Sequence, residues 1–177
     1  MEEDLVVVRK ARMQDIHALL ELINSFAKKG IMLPRTEFEL AENVRDFIVA
    51  FVGDSIAGCG ALHFYTSKTA EVRSLAVAAE FQKLGIGAKL VNALEDEARA
   101  FDLQALFAFT YVPGFFRKLG YREVDRGELP LKAWKDCLKC PKFQACDEIA
   151  MLKPLREDYQ AKPLTRVAEP VLLPVLS

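Results

Sequence analysis

Three parts of this sequence carry residue types and spacings that could do chemistry: a carboxylate within an apolar strand, a glycine pair opening a helix, and a cluster of cysteines. Glu71 lies in Ala-Glu-Val-Arg-Ser-Leu-Ala-Val, which reads as a strand over 70–77. An ionised carboxylate in such a strand is costly unless it has a task or a partner. The task would be proton abstraction, which a carboxylate of raised pKa performs as a general base. The partner would be Arg73, two residues along on the same strand face. Five residues after Val77 comes Gln82-Lys83-Leu84-Gly85-Ile86-Gly87, at the start of a long helix. Unsatisfied N–H groups at a helix start, backed by the macrodipole, suit a pyrophosphate. Glycine lets the backbone approach it, and Lys83 adds positive charge at the rim. A Gly-x-Gly can also merely turn the chain. It is not a dinucleotide fingerprint, which needs a third glycine and a downstream acid, and no Gly-Lys-Ser/Thr of a Walker loop is present.

The cysteines read Cys137-x2-Cys140-x5-Cys146. Thiolates at that spacing can hold zinc or an iron–sulfur cluster, but a fourth ligand is needed. Neither His17 nor His63 is near in sequence, so Asp136, Asp147 or Cys59 would have to serve. Two other readings stand beside it: a metal-free loop that covers a pocket, with Lys139 and Lys142 facing an anionic substrate, and a redox-labile Cys137–Cys140 pair. The expectation is a site without metal. Cys59, in Gly-Cys-Gly, reads as a small buried residue.

The elements that would position these groups follow from periodicity. Residues 5–8 form a β-branched strand, and Ile16, Leu19, Leu20, Ile23 and Phe26 recur at helical spacing before Gly30 stops the helix. Thr36 and Glu39 make a capping box for a second helix through Leu40 and Val44. Strands over 47–52 and 56–65 form a hairpin around Gly53-Asp54-Ser55. After the strand over 70–77, a helix over 85–101 should bury Ile86, Leu90, Val91, Leu94 and Ala98. A strand over 105–110, a short helix over 113–119 with Pro113 in its first turn, and a strand over 121–124 complete the run. Residues 129–135 read as helical, 136–147 as the cysteine loop and 149–152 as a last strand. The expected organisation is one domain over 1–155 and an extended tail over 156–177, which Pro163, Pro170 and Pro174 keep from becoming a further domain.

With 177 residues, 51% hydrophobic and 28% charged, the chain is long and apolar enough to bury a core. Its net charge of −1 lacks the basic footprint of a nucleic-acid binder. No membrane span is expected, because no window holds eighteen apolar residues without a charge. The opening Met-Glu-Glu-Asp has no secretory character, so the expected address is cytoplasmic.

The stretch over 72–88, with its preceding strand and following helix, resembles the Gln/Arg-x-x-Gly-x-Gly/Ala signature of the Gcn5-related N-acetyltransferases (GNAT). A second resemblance lies at 107–124: strand, short helix with Phe115-Phe116, then Gly120-Tyr121 and another strand. The resemblance implies an α/β (α+β) fold with a central, mostly antiparallel, twisted mixed sheet flanked by helices. It implies acetyl-CoA as cosubstrate, its pantetheine arm inserted beside the strand at Leu75, Ala76 and Val77. The amides of Gln82, Lys83, Leu84, Gly85, Ile86 and Gly87 would then take the pyrophosphate.

Within that superfamily the chain resembles the short N-acetylglutamate synthases, which begin arginine biosynthesis. The matching segments are Gly-Ile-Met-Leu-Pro-Arg-Thr at 30–36, Gly-Cys-Gly-Ala-Leu at 58–62, the strand over 70–77 and Phe-Ala-Phe-Thr at 107–110. The resemblance implies acetylation of the α-amine of L-glutamate or glutamine, with Glu71 as general base and Arg35 and Leu33 binding the substrate. A planar guanidinium suits a carboxylate, although an arginine before a helix cap can also be merely solvated. Thr110 falls where a hydroxyl is thought to protonate the leaving thiolate. The tyrosine that many relatives use instead is Phe116 here, which leaves Tyr111 as the second choice. The chain departs from the long forms in lacking an upstream amino-acid kinase domain, so arginine feedback housed there is expected to be absent. The expected partner is a small amino-acid substrate, and a homodimer is admitted without a residue that specifies it. The rival readings are another small amine or a protein N-terminus as acceptor, and a non-catalytic acyl-CoA-binding regulator.

Overall fold

β-Branched residues open the first strand, β1 (Val6–Lys10), and an amphipathic helix, α1 (Ile16–Ala27), follows. The computed structural model describes residues 5–129 and 146–160. Helix α1 buries Ile16, Leu19, Leu22 and Ile23, whereas Leu20 and Phe26, expected on that face, are only half-buried. Gly30, at φ +71°, turns the chain behind it. The capping box forms at α2 (Glu37–Glu42): Thr36 Oγ1 accepts the Glu39 N–H at 3.1 Å and Glu39 Oε2 accepts the Thr36 N–H at 2.9 Å. This helix stops before Val44. The Asn43 side-chain amide donates to the Glu39 carbonyl at 2.8 Å, and a 3₁₀ turn over Val44–Asp46 takes over.

The remaining elements are β2 (Phe47–Val52), β3 (Ser55–Phe64), β4 (Thr69–Val77), α3 (Ile86–Ala100), β5 (Ala105–Thr110), α4 (Pro113–Lys118), β6 (Arg122–Glu123) and β7 (Ile149–Pro154). A seven-stranded mixed sheet results, in the order β1-β2-β3-β4-β5-β7-β6. Among the described strands only β4 and β5 pair in parallel; the other neighbours are antiparallel. Strand β7 enters between β5 and β6, a placement the linear order does not suggest. The helix expected over 129–135, most of the cysteine loop and most of the tail lie outside the described residues.

Strand alternation sorts the core into two faces. Ile48, Ala50, Ala70 and Val72 pack on Ile86, Leu90, Val91 and Leu94 of α3, while Phe47, Val49, Cys59 and Ala61 pack on Leu19 and Ile23 of α1. A β-bulge changes the parity within β4. Cys59 pairs with Ala76 and Ala61 with Arg73, so Ser74 and Leu75 together oppose Gly60. Ser74 takes φ +52° to do so. After the bulge Ala76 faces α1, and Leu75 and Val77 lean toward α3. A Cβ on Gly60 would meet the methyl groups of Leu75 and Leu94 at 3.3 Å, which explains the glycine.

At the head of α1, Asp15 is buried and accepts from Arg9 Nη1 at 2.7 Å, Arg9 Nη2 at 3.0 Å and the Arg12 N–H at 2.7 Å. The Arg9 hydrogen bonds hold its carboxyl below the ordinary value of 3.8, against the opposing effect of burial. A depressed folded-state pKa contributes stability that is present above the ordinary value and lost as pH falls through the folded one. Urea denaturation of wild type and Asp15→Asn should therefore show a constant gap near neutrality that closes as the pH drops below about 4.

Candidate active site

β4 and β5 pair only over residues 69–71 against 105–107, then part, although they run on to Val77 and Thr110. Their separation opens the sheet, and a cleft of about 690 Å³ occupies the gap on the α1 side. Leu33, Arg35, Glu71, Leu75, Gln82 and Thr110 all line it, as do Arg73, Tyr111, Phe116, Arg126, Cys146 and Glu148. The fold thus gathers into one cleft residues from the α1–α2 connection, β4, β5 and the entry to β7.

Glu71 is buried and faces away from Ala70 and Val72 by strand alternation. Its Oε2 accepts the phenol of Tyr65 at 2.9 Å. Tyr65 is thus a partner of Glu71 that lies outside the strand itself. Tyr65 is itself packed against His63 and Phe107, with ring centroids at 5.1 and 5.4 Å. Thr110, buried at the end of β5, accepts the Val112 N–H on Oγ1 at 2.9 Å, which caps the turn and leaves the hydroxyl proton to be donated elsewhere. Phe116 is buried and offers no proton.

Arg35 is positioned by its backbone. Asn24, in the last turn of α1, accepts the Arg35 N–H on Oδ1 at 3.0 Å and donates from Nδ2 to the Arg35 carbonyl at 3.0 Å. With Thr36 fixed by its capping box, the guanidinium is launched from a backbone held on both sides.

Where β4 runs out along the cleft, Leu75 and Val77 are half-buried and Ala76 is buried, and Val77's carbonyl accepts from Gln82 Nε2 at 3.1 Å. Gln82, Lys83, Leu84 and Gly85 are exposed; the Gln82 N–H donates to the Ala79 carbonyl at 3.4 Å, so the amides that face solvent for an anion begin at Lys83. Lys83 and Gly85 adopt φ of +66° and +75°, and Gly85 caps α3. The two glycines differ in kind. Gly85 is required by its left-handed backbone, whereas a Cβ on Gly87 would strike the Phe115 ring at 3.2 Å. Ile86 turns its side chain into the core. Cys59 is fully buried and donates weakly to the Ser74 carbonyl at 3.4 Å; burial pushes its thiol up to about 12, so it is no nucleophile at neutral pH. Cys137 and Cys140 lie outside the described residues. Among the described residues no cluster of three His, Cys, Asp or Glu could hold a metal, and no helix is long and apolar enough to cross a membrane.

The sequence profile of the acetyltransferase (GNAT) family matches residues 13–121. The chain belongs to that family. An uncharacterized N-acetyltransferase of Chlorobaculum tepidum is 44% identical over 84% of this chain and 96% of its own length. An amino-acid acetyltransferase of Mycobacterium tuberculosis is 37% identical over 67% of this chain and 70% of its own. Among solved structures, N-acetylglutamate synthase of Neisseria gonorrhoeae, complexed with coenzyme A and N-acetyl-glutamate, superposes with a TM-score of 0.79 at 25% identity. That match covers 88% of this chain and 36% of the synthase, so this GNAT domain spans about a third of that enzyme.

Several residues of the GNAT cleft carried no sequence signal that we read. Tyr65 reaches Glu71 because the β3–β4 turn folds it back, with Tyr65 N–H bonded to the Thr69 carbonyl at 3.1 Å. Arg126 and Glu148 reach the cleft only through the insertion of β7. Asn24 could have been found, as a polar residue in the last turn of an amphipathic helix beside a Pro-Arg segment.

Proposed function

We propose that this GNAT domain transfers the acetyl group of acetyl-CoA to the α-amine of L-glutamate or L-glutamine, the reaction that begins arginine biosynthesis, in the cytoplasm. The observation that carries the reading is the convergence of Arg35, Glu71 and Thr110 on one cleft where β4 and β5 part. Acetyl-CoA supplies the activated acyl group as a thioester. The residues fit it: the stretch of β4 at Leu75, Ala76 and Val77, which pairs with β3 but not with β5, has an edge for the pantetheine arm, and the exposed loop over 82–85, with the amides of Ile86 and Gly87, suits the pyrophosphate. Arg35 holds a substrate carboxylate by a bidentate charge-assisted contact. Glu71, buried and oriented by Tyr65, takes the proton that the substrate ammonium must lose before its nitrogen can attack. Thr110 returns a proton to the departing sulfur, a role its hydroxyl hydrogen supports because Oγ1 acts as acceptor toward the Val112 N–H.

Thiol release from acetyl-CoA, screened over the amino acids with polyamine and peptide controls, tests the acceptor class. Arg35→Ala should lower kcat/KM for glutamate by about 2–3 kcal/mol in transition-state free energy, with acetyl-CoA binding unchanged. Arg35→Lys should restore only part of it, since an ammonium lacks the planar fork. A glutamate saturation curve untouched by Arg35→Ala would remove the substrate assignment and leave the acetyltransferase.

A further inference from the structure

Besides Arg35 and Arg73, the cleft is lined by a guanidinium from behind β6, that of Arg126. Arg126 follows β6 and is half-buried, with its charged carbon 5.5 Å from the centroid of the Phe109 ring. Its Nη2 donates to Cys146 Sγ at 3.0 Å and to the Glu148 carbonyl, which uses both hydrogens of that nitrogen. Its Nη1 and Nε bond no other described residue, and the side chain lines the cleft. One edge of the fork is therefore pinned and the group is stacked on an aromatic ring, while the other edge keeps donors for a ligand. Such a guanidinium has already lost its rotamer freedom, so an acceptor that meets it pays little further ordering cost.

We propose that Arg126 is a specificity-determining residue: its open edge takes the terminal oxygen of the substrate's side chain and selects amino acids that end in a carboxylate or carboxamide. This rests on the reading that an amino acid is the acetyl acceptor. Arg35 enters from the α1–α2 connection and Arg126 from behind β5, with Glu71 on β4 lining the same cleft. An acceptor with two oxygen-bearing groups would find a cation from a different element for each within the one cleft. Glu148 lines the same wall, so the local charge is mixed, and a neutral carboxamide is admitted along with a carboxylate. A site built to donate to an oxygen rejects a side chain that lacks one, because the donor would lose its water without replacement.

The competing role is a brace that holds the Cys146–Glu148 segment. A brace affects every acceptor alike; a specificity contact affects only those that carry the oxygen. The test is kcat/KM for L-glutamate, L-glutamine and L-norvaline in wild type, R126Q and R126K. Wild type should prefer the oxygen-bearing acids. R126Q should lower kcat/KM for the preferred one by about tenfold or more, as for a lost charged contact, with norvaline and the KM for acetyl-CoA within about twofold of wild type. R126K should fall between them. If R126Q lowers all three acids together, R126K decides: an unequal loss supports the contact, and an equal loss overturns it. No loss in R126Q also overturns it. A wild type that acetylates norvaline as well as glutamate removes this inference alone, whereas one that acetylates no amino acid removes the substrate reading and this inference with it.

Discussion

Glu71→Gln should lower kcat by about a hundredfold or more, the range for a lost general base, while acetyl-CoA affinity stays within about twofold. The substitution isolates the proton acceptor. A glutamine side chain fills the same volume in the buried position, and its carbonyl oxygen can still accept the Tyr65 phenol that now reaches Oε2 at 2.9 Å. What it loses is basicity. Because the loop over 82–87, proposed above to hold the acyl carrier, lies at the head of α3, binding there should not register a change on β4 beneath the cleft. The decisive measurement is a pair of saturation curves, one varying the acceptor and one varying acetyl-CoA. A near-normal rate at neutral pH would reduce Glu71 to a structural acceptor for Tyr65, and the cleft would need another base.

Local signals made part of this site legible and long-range pairing hid the rest. The strand–loop–helix unit through Gly85 and Gly87 is contiguous, and the Thr36–Glu39 capping box is a four-residue pattern, so both could be read directly. The parity change at Ser74 could not be read, because a bulge depends on what the neighbouring strand does. Without it, strict alternation would have put Leu75 and Val77 on the wrong face. The contact of Tyr65 with Glu71 was hidden for a related reason: the turn between β3 and β4 delivers the phenol from six residues back along the chain. The wall of Arg126, Cys146 and Glu148 depends on β7 entering between β5 and β6, which no local pattern encodes. Glu95 makes the same point within a helix that was otherwise read correctly. It lies on the buried side of α3 beside Leu94 and Ala98, and its partner is 58 residues away.

That partner, Lys153 on β7, should be among the most costly side chains to remove. Its Nζ donates to both oxygens of Glu95 at 2.8 and 2.9 Å and to the Leu119 carbonyl, just past α4, at 2.7 Å. The Glu95 side chain is 5% exposed and that of Lys153 21%, so the pair is far drier than a surface ion pair. Burial, and after it the Glu95 charge, pushes the neighbouring Tyr121 phenol above its ordinary range, which marks the same dry pocket. Lys153→Ala would leave a buried carboxylate and a helix-end carbonyl without their cation, a change that costs about 3–5 kcal/mol. The low end is expected, because Arg99 lies 3.5 Å from Glu95 and can take up part of the charge. The pair of changes Lys153→Met and Glu95→Leu should recover most of the loss, since apolar residues of similar volume can replace a buried ion pair at little net cost. Urea denaturation of wild type, both single variants and the double variant gives the coupling energy directly. Because Lys153 ties α3 to the end of α4, the Lys153→Ala protein should also hold acetyl-CoA less tightly at the loop that opens α3. A loss below about 1 kcal/mol would place the pair with ordinary surface ion pairs and remove its role as the clamp between those two helices.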